Sequence, residues 1–223
     1  MAINRFVDRK TISAAEAQLA RVAGDGSARH PHLAALVDGS GAELARDIAD
    51  AVHLLCSVHG HHPGLIEQAL ANCGDGPARG WFTQAAEGFE RERLYLVRLT
   101  AAVGPIPSTP GAAETEATLV AQRHAIEILA LSERRGCALG AATALISDWA
   151  PIRRLLDRAA ARVGIDVLAT SLPEESSLVA VIDAECDSAA SERALAFGGE
   201  QLLLQNQGLF DLLEARAAAR DRY

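Results

Sequence analysis

The chain has 223 residues, of which 49% are hydrophobic and 22% charged, with a formal net charge of −8. This composition supports a folded core and excludes a largely disordered chain. The negative charge argues against a nucleic-acid-binding protein, because such proteins neutralise phosphates with clustered cations. Only 4% of the residues are aromatic, so Ala, Leu, Val and Ile must supply the core, which favours helices over strands.

Capping and stop signals divide the first half of the chain into helices. Ser13 and Glu16 have the spacing of a capping box, and Ser40 and Glu43 repeat it. Prolines at the starts and glycines past the ends mark the other boundaries. The predicted elements are a helix over residues 13–23, a short apolar segment at 31–37, and helices over 41–59, 63–72 and 77–103.

The segment at residues 105–110 is the clearest linker, since it holds three prolines in six residues and proline disfavours a helix. Beyond it we expect a helix over 110–135 that continues to residue 148. Pro151 predicts a break or kink, with Asp148 capping a new helix over 149–163. Residues 165–172 are interpreted as a loop, because a lone strand would have no partner. The last predicted helices cover 174–189 and 191–220.

These elements predict an all-α fold, a single antiparallel bundle of about seven to eight helices. We expect one domain over residues 1–223, with a core shared by the helices on both sides of the connector; the alternative is a division at residues 105–110. Gly136, Gly140 and Ala144 place small side chains on one face of a helix, where backbones can approach closely. This segment is therefore predicted to be the most buried helix of the bundle.

A group of histidines near the end of helix 41–59 is the first candidate site. His59 continues the apolar stripe of the helix one turn beyond Leu55, and His53 lies on the edge of that stripe. Four of the seven histidines fall within residues 53–62, and neutral imidazole is a common ligand of transition metals. The alternative is a C-terminal histidine followed by a solvated turn.

Two further polar residues fall on apolar faces. Glu92 lies on the buried face of helix 77–103, where a carboxylate needs a partner or has a raised pKa. It is therefore either a functional acid or half of an ion pair with an arginine of a neighbouring helix. His124 flanks the apolar stripe of helix 110–135, which is predicted to consist of Ala121, Ala125, Ile128 and Leu129.

Asn206 is the polar residue on the apolar stripe of the last helix. A buried amide there can fix the register between packed helices, so its predicted role is structural. The other stripe residues give this helix a wide apolar face that suggests a homo-oligomer or a protein partner. They are Leu195, Leu202, Leu203, Leu209, Phe210 and Leu213.

The predicted location is the cytoplasm, without a membrane partner. Residues 1–10 lack the apolar segment of a signal peptide, and the uncharged stretch at 136–147 is shorter than the roughly 20 apolar residues that cross a bilayer. The cysteines lie too far apart for a disulfide framework or a zinc ribbon. They are Cys56, Cys73, Cys137 and Cys186.

The catalytic motifs that a sequence can reveal are absent here. There is no phosphate-binding loop, no dinucleotide fingerprint, no G-x-S-x-G and no H-E-x-x-H, and no Glu-x-x-His of a ferritin-like di-iron site. Whether the protein is an enzyme stays open. We expect a helical-bundle protein that acts through protein–protein contact or small-ligand sensing.

The alternative is a metal- or haem-binding enzyme of the oxidoreductase type. Its site would lie between helices 41–59, 77–103 and 110–135, with a transition metal or haem as the cofactor. This hypothesis requires that His59, Glu92 and His124 converge, with His53 beside them.

Overall fold

The computed structural model describes residues 12–222, and within them the prediction of an all-α bundle is confirmed. The described part contains nine α-helices, slightly more than predicted, and a 3-10 turn, Ser27–Arg29. The helices are α1 Ala14–Asp25, α2 Pro31–Asp38, α3 Leu44–His59, α4 Leu65–Asn72, α5 Pro77–Ala102, α6 Ala112–Ala130, α7 Cys137–Val163, α8 Glu175–Glu185 and α9 Ala189–Arg220.

The helix α7 lies at the centre of the bundle and touches each of the other eight helices. Its residues Ile152, Leu155 and Leu156 are completely buried. Helices from both sides of the Pro-rich connector contribute to the same cluster of buried side chains. Buried side chains from both sides of the connector therefore pack together around α7.

The long helices α7 and α9 approach each other so closely that side chains are excluded. A Cβ atom on Gly140 would lie 2.0 Å from the carbonyl oxygen of Leu195, and one on Gly198 would lie 2.0 Å from that of Cys137. Real side chains do not tolerate such distances, so glycine is required at both positions. The small-residue face of α7 thus lies at the centre of the bundle, as predicted.

The prediction that helix 110–135 continues to residue 148 was wrong. The helix α6 ends at Ala130, and residues 131–136 form a loop before α7. Gly136 has a φ of +100°, and a Cβ atom there would lie 2.6 Å from the carbonyl oxygen of Ser191. This left-handed glycine breaks the helical run and allows the loop to approach the start of α9.

The predicted break at Pro151 was also wrong, since α7 runs through it without interruption. Trp149 and Ile152 are buried on either side of the proline, and this packing offsets the missing hydrogen bond. Proline has no N–H to donate to the residue four positions earlier. The carbonyl of Ser147 therefore lacks its usual helical partner.

One of the two predicted capping boxes is present. Ser13 Oγ accepts the backbone N–H of Glu16 at 3.1 Å, and Glu16 accepts the N–H of Ser13 at 2.9 Å. The box predicted from Ser40 was wrong, because α3 begins at Leu44 and its N-cap residue, Glu43, makes no capping hydrogen bond.

The apolar face of α9 is covered by the chain itself. The six leucine and phenylalanine residues that suggested a homo-oligomer are each at most 1% exposed, so that argument for self-association was wrong. None of the helices within residues 12–222 is long and apolar enough to cross a membrane.

Candidate functional site

The indole of Trp149 joins two of the residues that the sequence singled out. Its N–H donates to Glu92 Oε2 at 3.0 Å, and its ring packs edge-on against His59, with ring centroids 5.5 Å apart. Trp149 is 1% exposed. His59 of α3 and Glu92 of α5 therefore meet the same buried side chain of α7.

Glu92 is held by an arginine of a neighbouring helix. Arg153 Nη1 donates to both carboxylate oxygens, at 2.7 and 2.8 Å, and Arg153 Nε donates to Asp157 at 2.7 Å. The guanidinium also lies 4.3 Å from the ring centroid of Tyr95. This geometry fits the structural alternative for Glu92, because its charge is balanced within the protein.

His59 is buried as a neutral imidazole. Burial lowers its pKa to about 4; the side chain of Asn206 opposes this shift, and Arg93 adds to it slightly. Its Nε2 atom has no hydrogen-bond partner among the described residues, and neither does Asn206 Oδ1. These two orphaned atoms belong to adjacent side chains in the polar interior of the bundle.

Asn206 connects this interior to a carboxylate that the sequence analysis missed. Its Nδ2 donates to Asp148 Oδ2 at 2.9 Å. Asp148 also accepts the backbone N–H of Ser27 at 2.7 Å and the Ser27 hydroxyl at 2.6 Å. The side chain of Asp148 thus ties α7 to α9 and to the turn that follows α1.

Asp148 differs from the other buried carboxylates in its partners. Glu92 has Arg153 at 2.7 Å, and Asp50 has Arg216 at 2.7 Å. Within residues 12–222, Asp148 forms no salt bridge, although it is 1% exposed. Burial therefore raises its pKa, while the hydrogen bonds from Ser27 and Asn206 oppose the shift.

A cleft of 500 Å³ lies over Asp148, between α1, α7 and the start of α8. Its walls are mostly apolar, it contains two carboxylates, and no basic residue lines it. The lining residues are Leu19, Ala20, Val22, Ala23, Ala28, Ser147, Asp148, Pro151 and Glu175.

The turn at residues 26–27 lies against the carboxylate of Asp148. A Cβ atom on Gly26 would lie 2.6 Å from Asp148 Oδ1, so the turn packs directly on the carboxylate. Ser147, whose carbonyl cannot accept a hydrogen bond from Pro151, belongs to the same region of α7. The cleft therefore combines an apolar wall, Ser147 and two acids.

His124 and His53 lie apart from this site. The side chain of His124 is 72% exposed and lies 3.8 Å from Glu127, while His53 Nε2 lies 2.8 Å from the carbonyl oxygen of Gly104. The convergence of His59, Glu92 and His124 that the metal- or haem-site hypothesis requires is therefore not present.

His124 lies apart because part of the apolar stripe predicted for α6 faces solvent. Ile128, which was assigned to the core, is 55% exposed, and Val120 is 47% exposed, while Leu119 and Ile126 are buried. Because α6 carries apolar residues on two sides, the periodicity did not identify the side that faces the core.

Two groups of histidine and acidic residues have metal-ligand spacing within residues 12–222, and both lie elsewhere. In the first, His30 Nδ1 accepts the backbone N–H of His32 at 3.1 Å, while Nε2 lies 3.1 Å from Asp211. Both ring nitrogens of His30 are therefore occupied. The group's third member is Glu214.

The second group already contains a cation. It consists of His62, Glu67 and Glu90. Arg93 Nη2 lies 2.6 Å from Glu67, and Nη1 contacts both Glu90 and His62. The guanidinium stands where a metal ion would have to bind.

A sequence signal for Asp148 existed. Gly136, Gly140 and Ala144 form a row with a spacing of four residues, and the next position in the row is Asp148. A carboxylate on the most buried face of the central helix has to be explained by a partner or by a function. Interpreting Asp148 as a helix cap removed it from consideration.

No curated protein and no solved structure matches this chain. One protein-family model does match, over residues 22–221, and its description is a family of unknown function, DUF6975. The matched range includes Ser27, His59, Glu92, Asp148 and Asn206. The chain therefore belongs to the DUF6975 family.

Proposed function

We propose that the protein is a small-ligand sensor that binds an organic amine in the cleft over Asp148. The observation that carries this proposal is the buried carboxylate without a cationic partner among the described residues. A buried charge is costly unless it is paired, and carboxyl groups with a perturbed pKa beside a cleft are candidates for function. The ammonium group of a ligand would supply the missing positive charge.

The chemistry of the cleft suits an amine with an apolar body. The carbonyl of Ser147 and the carboxylates of Asp148 and Glu175 are all acceptors, whereas an ammonium group is only a donor. The walls from α1 and Pro151 would pack against the carbon skeleton. The 500 Å³ volume falls within the range of roughly 300–1,000 Å³ that is usual for small-molecule sites.

The turn at residues 26–27 supplies a route from binding to a response. Ser27 donates two hydrogen bonds to Asp148, and an ammonium group that reaches the carboxylate must replace at least one of them. The turn connects α1 to α2, so its displacement would shift both helices. Binding would in this way favour a second conformation, which is what a sensor requires.

Of the two modes of action expected from the sequence, protein contact and ligand sensing, this cleft supports the second. We place the protein in the cytoplasm in this proposal. The four free cysteines support that location, because thiols remain reduced there.

The test is a titration with benzylamine, with benzyl alcohol as the uncharged analogue of similar shape. Binding is measured by calorimetry and by tryptophan fluorescence, to which Trp149, the residue next to Asp148, contributes together with Trp81. We expect benzylamine to bind and benzyl alcohol not to bind. The variant Asp148→Asn should bind benzylamine at least about tenfold more weakly, because it removes the counter-charge.

Two further variants keep the test decisive if Asp148→Asn folds poorly. Ala23→Phe fills the cleft from an exposed position on α1 and leaves Asp148 intact, so it should also abolish binding. Glu127→Gln removes an exposed acid of α6 and should bind as the wild type does. Equal affinity for the amine and the alcohol, or unchanged binding in Ala23→Phe, would refute the proposal.

A further inference from the structure

A second cleft, of 550 Å³, lies where the loop between α6 and α7 meets the first turns of α9. Three arginines line it and no carboxylate does, which is a local excess of positive charge in a chain of net charge −8. Its lining residues are Arg134, Arg135, Ser188, Ala190, Ser191, Arg193, Ala194 and Phe197.

Two of the three arginines have no acidic partner among the described residues. Arg135 is paired with Asp187 at 3.0 Å and lies 3.7 Å from Glu185. Arg134 and Arg193 form no salt bridge within residues 12–222, and both are exposed. Their guanidinium groups are therefore available to bind an anion, for which paired N–H donors are well suited.

The cleft also contains an exposed aromatic ring. Phe197 is 42% exposed, and the guanidinium of Arg134 lies 5.7 Å from the centroid of its ring. Flat rings stack on aromatic side chains and on guanidinium planes. A ligand with a planar ring would find a stacking surface directly beside the two arginines.

The two serines of the cleft contribute little to the binding of an anion. Ser188 Oγ and Ser191 Oγ lie 3.0 Å apart, and Ser188 Oγ accepts the backbone N–H of Ser191 at 3.2 Å. Both hydroxyls are therefore engaged in capping α9. The positive charge that an anion would meet comes mainly from the arginine side chains.

We propose that this cleft binds a nucleoside monophosphate, or a phosphorylated ring compound of the same chemistry. Arg134 and Arg193 would bind the phosphate, and Phe197 would stack against the base. This proposal is independent of the amine site, because the two clefts share no lining residue.

The experiment compares three probes by calorimetry on the full chain: adenosine monophosphate, adenosine and inorganic phosphate. We expect the monophosphate to bind at least about tenfold more tightly than either of the others, because only it contacts both the arginines and the ring. Raising the salt concentration should weaken its binding.

Two exposed positions allow substitution without disturbing the core. Arg193→Ala should weaken binding of the monophosphate by about tenfold. Phe197→Ala should weaken it by a similar factor but leave the binding of inorganic phosphate unchanged. Arg162→Ala removes an exposed arginine of α7 outside the cleft and should have no effect.

Three results would overturn the proposal. The first is the absence of binding, and the second is a loss in Arg162→Ala equal to that in Arg193→Ala, which would indicate non-specific attraction. The third is equal affinity for inorganic phosphate and the monophosphate, which would show an anion site without ring recognition.

Discussion

Two carboxylates in the interior of this bundle are equally buried but differ in the charge of their hydrogen-bond donors. Glu92 and Asp148 are each 1% exposed. Glu92 receives a guanidinium from Arg153, whereas Asp148 receives only neutral donors, from Ser27 and Asn206. The first charge is balanced inside the chain and joins α5 to α7. The second remains unbalanced, and it lies beside a cleft.

The largest effect should follow from removing the cation of the balanced pair. Arg153→Met leaves Glu92 buried without a positive partner and should lower the free energy of unfolding by about 3–5 kcal/mol. Denaturation by urea measures this change in the free energy of unfolding. Arg154→Met, at the adjacent exposed position, is the matched control and should change stability by less than about 0.5 kcal/mol. Similar losses of stability in both variants would contradict the role of Arg153 as the partner of Glu92.

His59 should make the bundle sensitive to acid. Its pKa is about 4 in the folded protein and 6.5 in a free imidazole, so the unfolded chain takes up a proton first. The contribution is fully present above pH 6.5 and is lost as the pH falls to 4, with a total on the order of 3 kcal/mol.

The corresponding variants are His59→Gln and His124→Gln. In His59→Gln the free energy of unfolding should fall less between pH 6.5 and 4 than in the wild type. His124 is 72% exposed in its side chain, so its replacement should preserve the wild-type profile. Identical pH profiles for His59→Gln and the wild type would show that His59 does not cause the acid sensitivity.

The contact of α7 with α9 positions both Asp148 and its partner Asn206. Gly140→Ala forces a methyl group against the backbone of Leu195 and should cost about 1–3 kcal/mol, as overpacking usually does. Gly80→Ala on α5, where no atom lies within 4 Å, should instead stabilise the protein by about 0.5–1 kcal/mol. Thermal unfolding distinguishes the two; a tolerated Gly140→Ala would mean that the helices are not in close contact.

The smallest effect concerns the rim of the amine cleft. Glu175 is exposed, so Glu175→Gln should weaken benzylamine binding by at most about fivefold, and only at low salt, because exposed charges are screened. A loss as large as that of Asp148→Asn would place the counter-charge at the rim rather than in the interior.

The sequence predicts the helices better than it predicts the site. Local signals, such as the capping box at Ser13 and the small-residue row of α7, identify elements and the central helix because they depend on neighbours in the chain. The partners of Glu92 and Asp148 lie on other helices. Tertiary packing determines which of the two carboxylates meets an arginine, and the periodicity of a single helix contains no information about that partner.

Two errors show how packing overrides local preference. Pro151 stays within α7 because the buried residues around it offset one lost hydrogen bond. His124 lies outside because α6 has apolar residues on two sides, and the neighbouring helices determine which side is buried. In both cases the missing information was the position of another helix.

The most direct test of the contrast is a titration of the side-chain carboxyl carbons by nuclear magnetic resonance, with and without benzylamine. We predict that Asp148 titrates above its ordinary pKa of 3.8, because burial disfavours its charge. Benzylamine should lower that pKa, because a bound cation favours the ionised carboxylate. An Asp148 that titrates at or below 3.8, or one whose pKa is unchanged by the amine, would contradict the account.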